Sequence, residues 1–200
     1  MTLCLNGHNI NLSGKNIVVG EDVSLVICDC SKDTTQGWLD ESEHLWKPGT
    51  GEGEPCNLTG GVIYGGKGAE GKGNSDGAGG GAVYVKEGSL TLAGGNLAGN
   101  QSGESYYGST NLGGAVRLEV GSSFTMIDGS ITGNCGRGGG FSASRSTVYL
   151  CGGEISYNYS SDDGGGISAS GGTVTMTDGF SITGNKAENA GGGILSLIHI

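Results

Sequence analysis

From residue 82 onward the chain sets short runs of alternating apolar and polar residues between turn residues. "AVYV", "AVRLEV", "FSAS" and "ISAS" each follow a glycine cluster. A turn ("KEGS", "GSS", "RST", "GGT") leads to the apolar triplets Leu90-Thr91-Leu92, Phe124-Thr125-Met126, Val148-Tyr149-Leu150 and Val174-Thr175-Met176. A glycine or Asp-Gly corner then leads to "NLAGN", "SITGN", "EISYN" and "SITGN". Alternation with period two, bounded by turn residues, predicts strands, and no segment carries a helical stripe of useful length. Each unit therefore reads as three short strands.

The units keep step. The last glycine of each cluster stands at Gly81, Gly114, Gly140, Gly166 and Gly193. After a longer first interval the spacing settles at about 26 residues, within the range of solenoid repeats. An asparagine (Asn100, Asn134, Asn158, Asn185) follows each of the first four clusters at a nearly fixed distance, with the apolar triplet between the two marks. Three strands in about 26 residues predict an all-β chain, a right-handed parallel β-helix or solenoid with one unit per coil. Each strand would pair with its equivalent one coil away, roughly 4.8 Å along the axis. Asn suits the corner of such a coil, because it tolerates left-handed backbone and its amide can bond the next Asn in a stack. Asn100, Asn134, Asn158 and Asn185 are thus expected to form a structural file.

Residues 1–64 predict less regular coils ("LCLNGHNINL", "NIVVGEDVSLVICDC", "NLTGGVIYGG"), interrupted by an inserted loop at 31–56 that holds both tryptophans and both prolines. Residues 65–194 form the regular coils with Gly-rich corners, after a glycine-rich polar stretch at 65–81. At 195–200, "LSLIHI" breaks the pattern: Leu195 and Leu197 fall where Ser168 and Ser170 stood one coil earlier. These six residues resemble the translation of a transposon end used in sequencing-library preparation. They are expected to be an adapter artefact on a truncated gene.

Composition narrows the class. Glycine supplies 45 of 200 residues, far above the usual level of about 7%, yet with two prolines and no three-residue period collagen is excluded. Recurrent apolar triplets and a charged fraction of only 15% oppose disorder. The net charge of −10 with scattered basic residues argues against nucleic acid or an anionic membrane surface as partner. No apolar run approaches the roughly 20 residues of a membrane span.

The glycine and asparagine motifs carry a resemblance. "GGAV" (80–83 and 113–116), "GGGF" and "GGGI", followed by "LAGN", "ITGN", "ISYN" and "ITGN", resemble the paired GG-[A/I/L]-[I/V/L] and F-x-x-N motifs of polymorphic outer membrane proteins and related adhesin-like bacterial surface proteins. Leu97, Ile131, Ile155 and Ile182 stand at the Phe position of that motif. "LCLNGH" and "CDCS" are similar to large secreted β-helix proteins of anaerobic bacteria. The resemblance implies a secreted or cell-surface, non-catalytic, adhesin-like stalk or binding face, continuing into further coils, its signal peptide lost by truncation. It implies a host glycan or surface protein as partner and no cofactor. The alternative is a fragment of a carbohydrate-active β-helix, a polysaccharide lyase or glycoside hydrolase.

Candidate chemistry is sparse. "GGKGAEGKG" (65–73) holds a G-x-G-x-x-G and a near P-loop, but lacks the Ser/Thr and any following helix, so it reads as a flexible loop. Cys28, Cys30, His44 and Cys56 could form a zinc site, although only the C-x-C spacing is familiar. A Cys30–Cys56 disulfide closing the insertion is a second reading, and isolated thiols a third. Acid/base hydrolysis needs two carboxylates about 5–9 Å apart on one groove; Asp128 and Asp178 fall two coils apart at Asp-Gly turns, and Asp162-Asp163 reads as a solvated loop. Arg117 and Arg145 do not stack. Asn100 and Asn158, two of the four N-x-S/T matches (with Asn11 and Asn57), belong to the corner file. For ligand contact the candidates are Trp38, Trp46, Tyr106 and Tyr107, whose other reading is loop packing.

Overall fold

The computed structural model describes residues 1–68, 79–103 and 112–196. The chain is all-β, with no helix among the described residues. Its main sheet is parallel throughout, open, and curled around the core.

Three sets of parallel pairings build this sheet. In the first, the register runs Ile17, Val83, Val116, Phe141, Ile167, Ile194. In the second, Ser24, Ser89, Ser123, Thr147 and Thr173 align, with Thr2 opposite Val26 at the outer edge. In the third, Ile10, Ile63, Leu97, Ile131, Ile155 and Ile182 align. Because side chains alternate across a strand, a slip of one residue would turn every inward residue to solvent, so the apolar positions fix the register. Leu25, Leu90, Phe124, Val148 and Val174 stack in one such column, each at most 3% exposed. Ile63, Leu97, Ile131 and Ile155 stack in another, with no exposure. Burying one such side chain contributes about 1.5–3 kcal/mol, which makes these columns the main source of cohesion.

The structure adds a fourth, shorter pairing after the asparagines. Cys135–Gly136, Tyr159–Ser160 and Lys186–Ala187 align in parallel, and Gln101 bridges to both Lys67 and Cys135.

The insertion at 31–56 is expected as a loop and is instead a small antiparallel sheet. Gly37–Asp40 pairs with Leu45–Pro48 on one side and Glu54–Pro55 on the other. Thr34–Thr35 pairs with Leu58–Thr59 and ties the insertion to the chain beyond it. The hairpin turn is closed by Asp40, whose Oδ1 accepts from the amides of Ser42 and Glu43. Lys47 Nζ lies 2.7 Å from Asp40 Oδ2 and 2.9 Å from Glu43 Oε1. That ammonium, with the Ser42 hydroxyl and the two amides, holds the Asp40 carboxyl well below its ordinary range. Leu195, on the strand Ile194–Ser196, pairs with Ser168 and continues the first set of pairings; residues 197–200 lie outside the described residues.

Candidate binding cleft beside the asparagine file

Asn100, Asn134, Asn158 and Asn185 stand in one file. Asn134 Oδ1 accepts from Asn100 N and Nδ2 at 2.9 and 3.1 Å. Asn158 Oδ1 accepts from Asn134 in the same way, at 3.0 and 2.9 Å, and Asn185 Oδ1 from Asn158, at 2.9 Å in both. Each Nδ2 also donates to a carbonyl of the rung before: Ile63, Leu97, Ile131 and Ile155. The first three asparagines are at most 1% exposed, and their side-chain polar atoms all have partners, as burial requires.

The residue before each asparagine has left-handed backbone: Gly99 (φ 65°), Gly133 (φ 56°), Tyr157 (φ 53°) and Gly184 (φ 63°). The insertion docks on the first two of these corners. Trp46 donates its backbone amide to the Gly133 carbonyl at 2.8 Å and its indole Nε1–H to the Cys56 carbonyl at 2.8 Å. Its ring packs with Leu58, Val62 and Ala98. A β-carbon on Gly99 would meet the Trp46 carbonyl oxygen at 2.1 Å, and one on Gly133 the Trp46 β-carbon at 2.7 Å. Glycine is therefore required there by space as well as by conformation.

Past the edge of the insertion stands Tyr157, its ring lying over Gly184 and 51% of its surface exposed. Between it and the insertion opens a cleft of about 520 Å³ lined by Leu39, Glu41, His44, Glu54, Tyr157 and Tyr159, among others. His44 stacks on Tyr159 with ring centroids 3.9 Å apart and planes 14° apart, which joins the hairpin tip to the wall. The Tyr159 hydroxyl donates to Glu188 Oε1. Tyr157 and Tyr159 escape a reading of composition and motif alone, and His44 is singled out there only as a zinc ligand. One signal for Tyr157 lies in the repeat itself, where "ISYN" replaces the Gly-Asn of the other units.

The carboxylate of Glu188 holds the Tyr159 phenol protonated, raising its pKa from 10.0 to about 12. A folded value above the unfolded one means a contribution to stability that is complete below pH 10 and is lost as pH rises toward 12. Ultraviolet titration should show one tyrosine ionising late in the wild type, and in the ordinary range in Glu188→Gln. Coincident curves for the two proteins would remove this hydrogen bond from the picture.

The other candidates fall elsewhere. Trp46, a candidate for ligand contact or for loop packing, is 1% exposed and takes the second role, as the anchor of the insertion; its indole size and single N–H fit the buried slot. Trp38 is half-buried under Lys47, whose Nζ lies 5.6 Å from the ring centroid. Tyr106 and Tyr107 lie outside the described residues, as does most of the 65–73 glycine motif. Cys30 and Cys56 are not joined: both thiols are free, and Cys30 Sγ lies 3.9 Å from Cys4 Sγ, because the strand Thr2–Cys4 pairs beside Ser24–Cys28. Cys56 packs instead against the Trp46 cluster, where burial raises its pKa. The zinc set is also dispersed, since His44 sits on Tyr159, and no metal-holding group of His, Cys, Asp or Glu occurs among the described residues. Asp162 and Asp163 are not loop solvation: Asp162 accepts from Arg137 at 3.1 Å and from Asn189 at 2.8 Å, and Asp163 from the Ala190 amide at 3.0 Å, so both tie neighbouring rungs together. Asn11 and Asn57 are exposed.

A second groove, about 390 Å³, is lined by Asp29, Lys32, Asp128 and Glu154 among others. Asp29 is committed to structure, accepting from the amides of Gly7, Ser31 and Gly61. No protein-family model, no curated protein and no solved structure matches this chain.

Proposed function

We propose that the chain is a stretch of right-handed parallel β-helix from a secreted or cell-surface bacterial protein, adhesin-like and non-catalytic, whose cleft beside the asparagine file binds a glycan. The in-register pairings, which advance by one sequence repeat at each step, support the solenoid reading. Tyr157 carries the binding reading. A non-glycine residue in left-handed backbone costs about 1 kcal/mol or more, yet this side chain is half exposed and fills no core. Strain retained for a ring that packs only on Gly184 and leaves half its surface in solvent points to use at the surface. The flat face of Tyr157 suits a sugar ring, and the carboxylates of Glu41 and Glu54 suit its hydroxyls as acceptors.

Tyr157→Gly tests this directly. Relief of the left-handed strain should offset the extra unfolded-state entropy of glycine, so the variant should melt no lower than wild type, while losing most retention on a glycan array. A blank array for wild type, or equal retention by both proteins, would sink the reading. The second groove favours one alternative, a carbohydrate-active enzyme working with Asp128 and Glu154. Incubation with acidic polysaccharides decides it: release of reducing ends that Asp128→Asn abolishes would replace the binding proposal.

A further inference from the structure

Three thiols gather at the outer edge of the second set of pairings. Cys4 and Cys28 are direct partners on neighbouring parallel strands, and Cys30 follows two residues later with its Sγ 3.9 Å from that of Cys4. Cys4 and Cys30 are exposed and Cys28 is half-buried, so a small disulfide in solution can reach the pair. Cys30 Sγ also donates to Asn6 Oδ1 at 3.3 Å, which holds it on the Cys4 side. From this geometry we infer that Cys4 and Cys30 form a covalent site, a disulfide that staples the strand Thr2–Cys4 to the rung beside it.

The chemistry needs one co-reactant, a low-molecular-weight disulfide RSSR. The Cys4 thiolate attacks one sulfur of RSSR, forms the mixed disulfide Cys4–S–SR and expels RS⁻. The Cys30 thiolate then attacks the Cys4 sulfur, closes the Cys4–Cys30 bond and expels the second RS⁻. Two cysteines are oxidised, one RSSR is reduced to two RSH, and the two cysteine protons end on the leaving thiolates. Cys4 is the attacking group, because the Asn6 amide and the neighbouring Cys28 and Cys30 thiols stabilise its thiolate and lower its pKa. In Cys30 the neighbouring Cys4 raises the pKa instead. The pairing differs from a Cys30–Cys56 bridge in closing the terminal strand rather than the insertion.

The test is oxidation of the whole chain with oxidised glutathione, alkylation of the remaining thiols, trypsin digestion and mass spectrometry. The linked peptide pair should weigh two hydrogens, about 2 Da, less than the sum of its reduced peptides once the alkyl group on Cys28 is allowed for. The peptide ending at Lys15 should be linked to the one ending at Lys32, through Cys30, with Cys28 alkylated. Cys28→Ser should keep the link and Cys30→Ser should abolish it, leaving Cys4 as the glutathione adduct. A link from Cys30 to the Cys56 peptide, a link surviving in Cys30→Ser through Cys28, or full alkylation of Cys4 and Cys30 would each overturn the inference.

Discussion

Trp46→Ala is expected to release the insertion from the wall, with a loss of about 3–5 kcal/mol in its docking. The ring is 1% exposed and fills a slot formed with Leu58, Val62 and Ala98, with Tyr64 edge-on at 6.2 Å. Removing it leaves a cavity that the two-residue pairing of Thr34–Thr35 with Leu58–Thr59 is too short to close. It also leaves the Cys56 carbonyl without its indole donor. The parallel registers do not pass through Trp46, so the damage should be local. Limited proteolysis should cut the variant quickly between residues 34 and 55 while its far-ultraviolet dichroism stays near that of wild type. Trp38→Ala, at a half-buried position covered by Lys47, should be cut little faster than wild type. Equal protection of wild type and Trp46→Ala would show that something other than this ring holds the insertion.

The second large effect is expected at the middle of the asparagine file. Asn134 has no exposure and takes part in five hydrogen bonds through its side chain. Asn134→Leu strips the Asn100 amide and side chain of their acceptor and the Leu97 carbonyl of a donor, all of them in the buried corner. Each buried group left unpaired costs about 1–3 kcal/mol, and a total of about 3 kcal/mol is expected from denaturant unfolding. Asn185→Leu is the control. Asn185 is half-buried, and its side chain serves Asn158 and the Ile155 carbonyl. Its loss should cost clearly less. Similar losses at both sites would mean that position along the file does not govern the cost.

The all-β character, the in-step strands and the asparagine file were legible because they repeat. A register that recurs once in every unit places Leu90, Phe124 and Val148 in one column whatever lies between them. The insertion was legible as an interruption at 31–56, but its antiparallel sheet was not, since it occurs once and has no internal copy to be read against. Its tryptophans are alike in sequence, and only the closeness of the Gly99 and Gly133 corners decides that Trp46 turns inward while Trp38 stays half-covered. The thiols mislead for a related reason. Cys30 and Cys56 bracket the insertion along the chain, but parallel pairing brings Cys4 next to Cys30 from a rung away. Tyr157 lay between the two cases, visible as a departure from the repeat yet without a neighbour until the hairpin tip and His44 were placed.

The asparagine file has a direction. The bonds between asparagine side chains all run one way: Asn100, Asn134 and Asn158 each donate Nδ2 to the Oδ1 of the next asparagine. Asn134 and Asn158 consequently meet their neighbours alike, each accepting through Oδ1 from the asparagine before, donating Nδ2 to the one after, and donating back to a carbonyl of the preceding rung. A further unit spliced between Gly140 and Gly166 would meet at both borders the partners that its neighbours already offer. Length in such a chain can change by tandem duplication of a single unit without redesigning any corner, while the insertion, made once and fitted to two particular glycines, cannot be copied along with it.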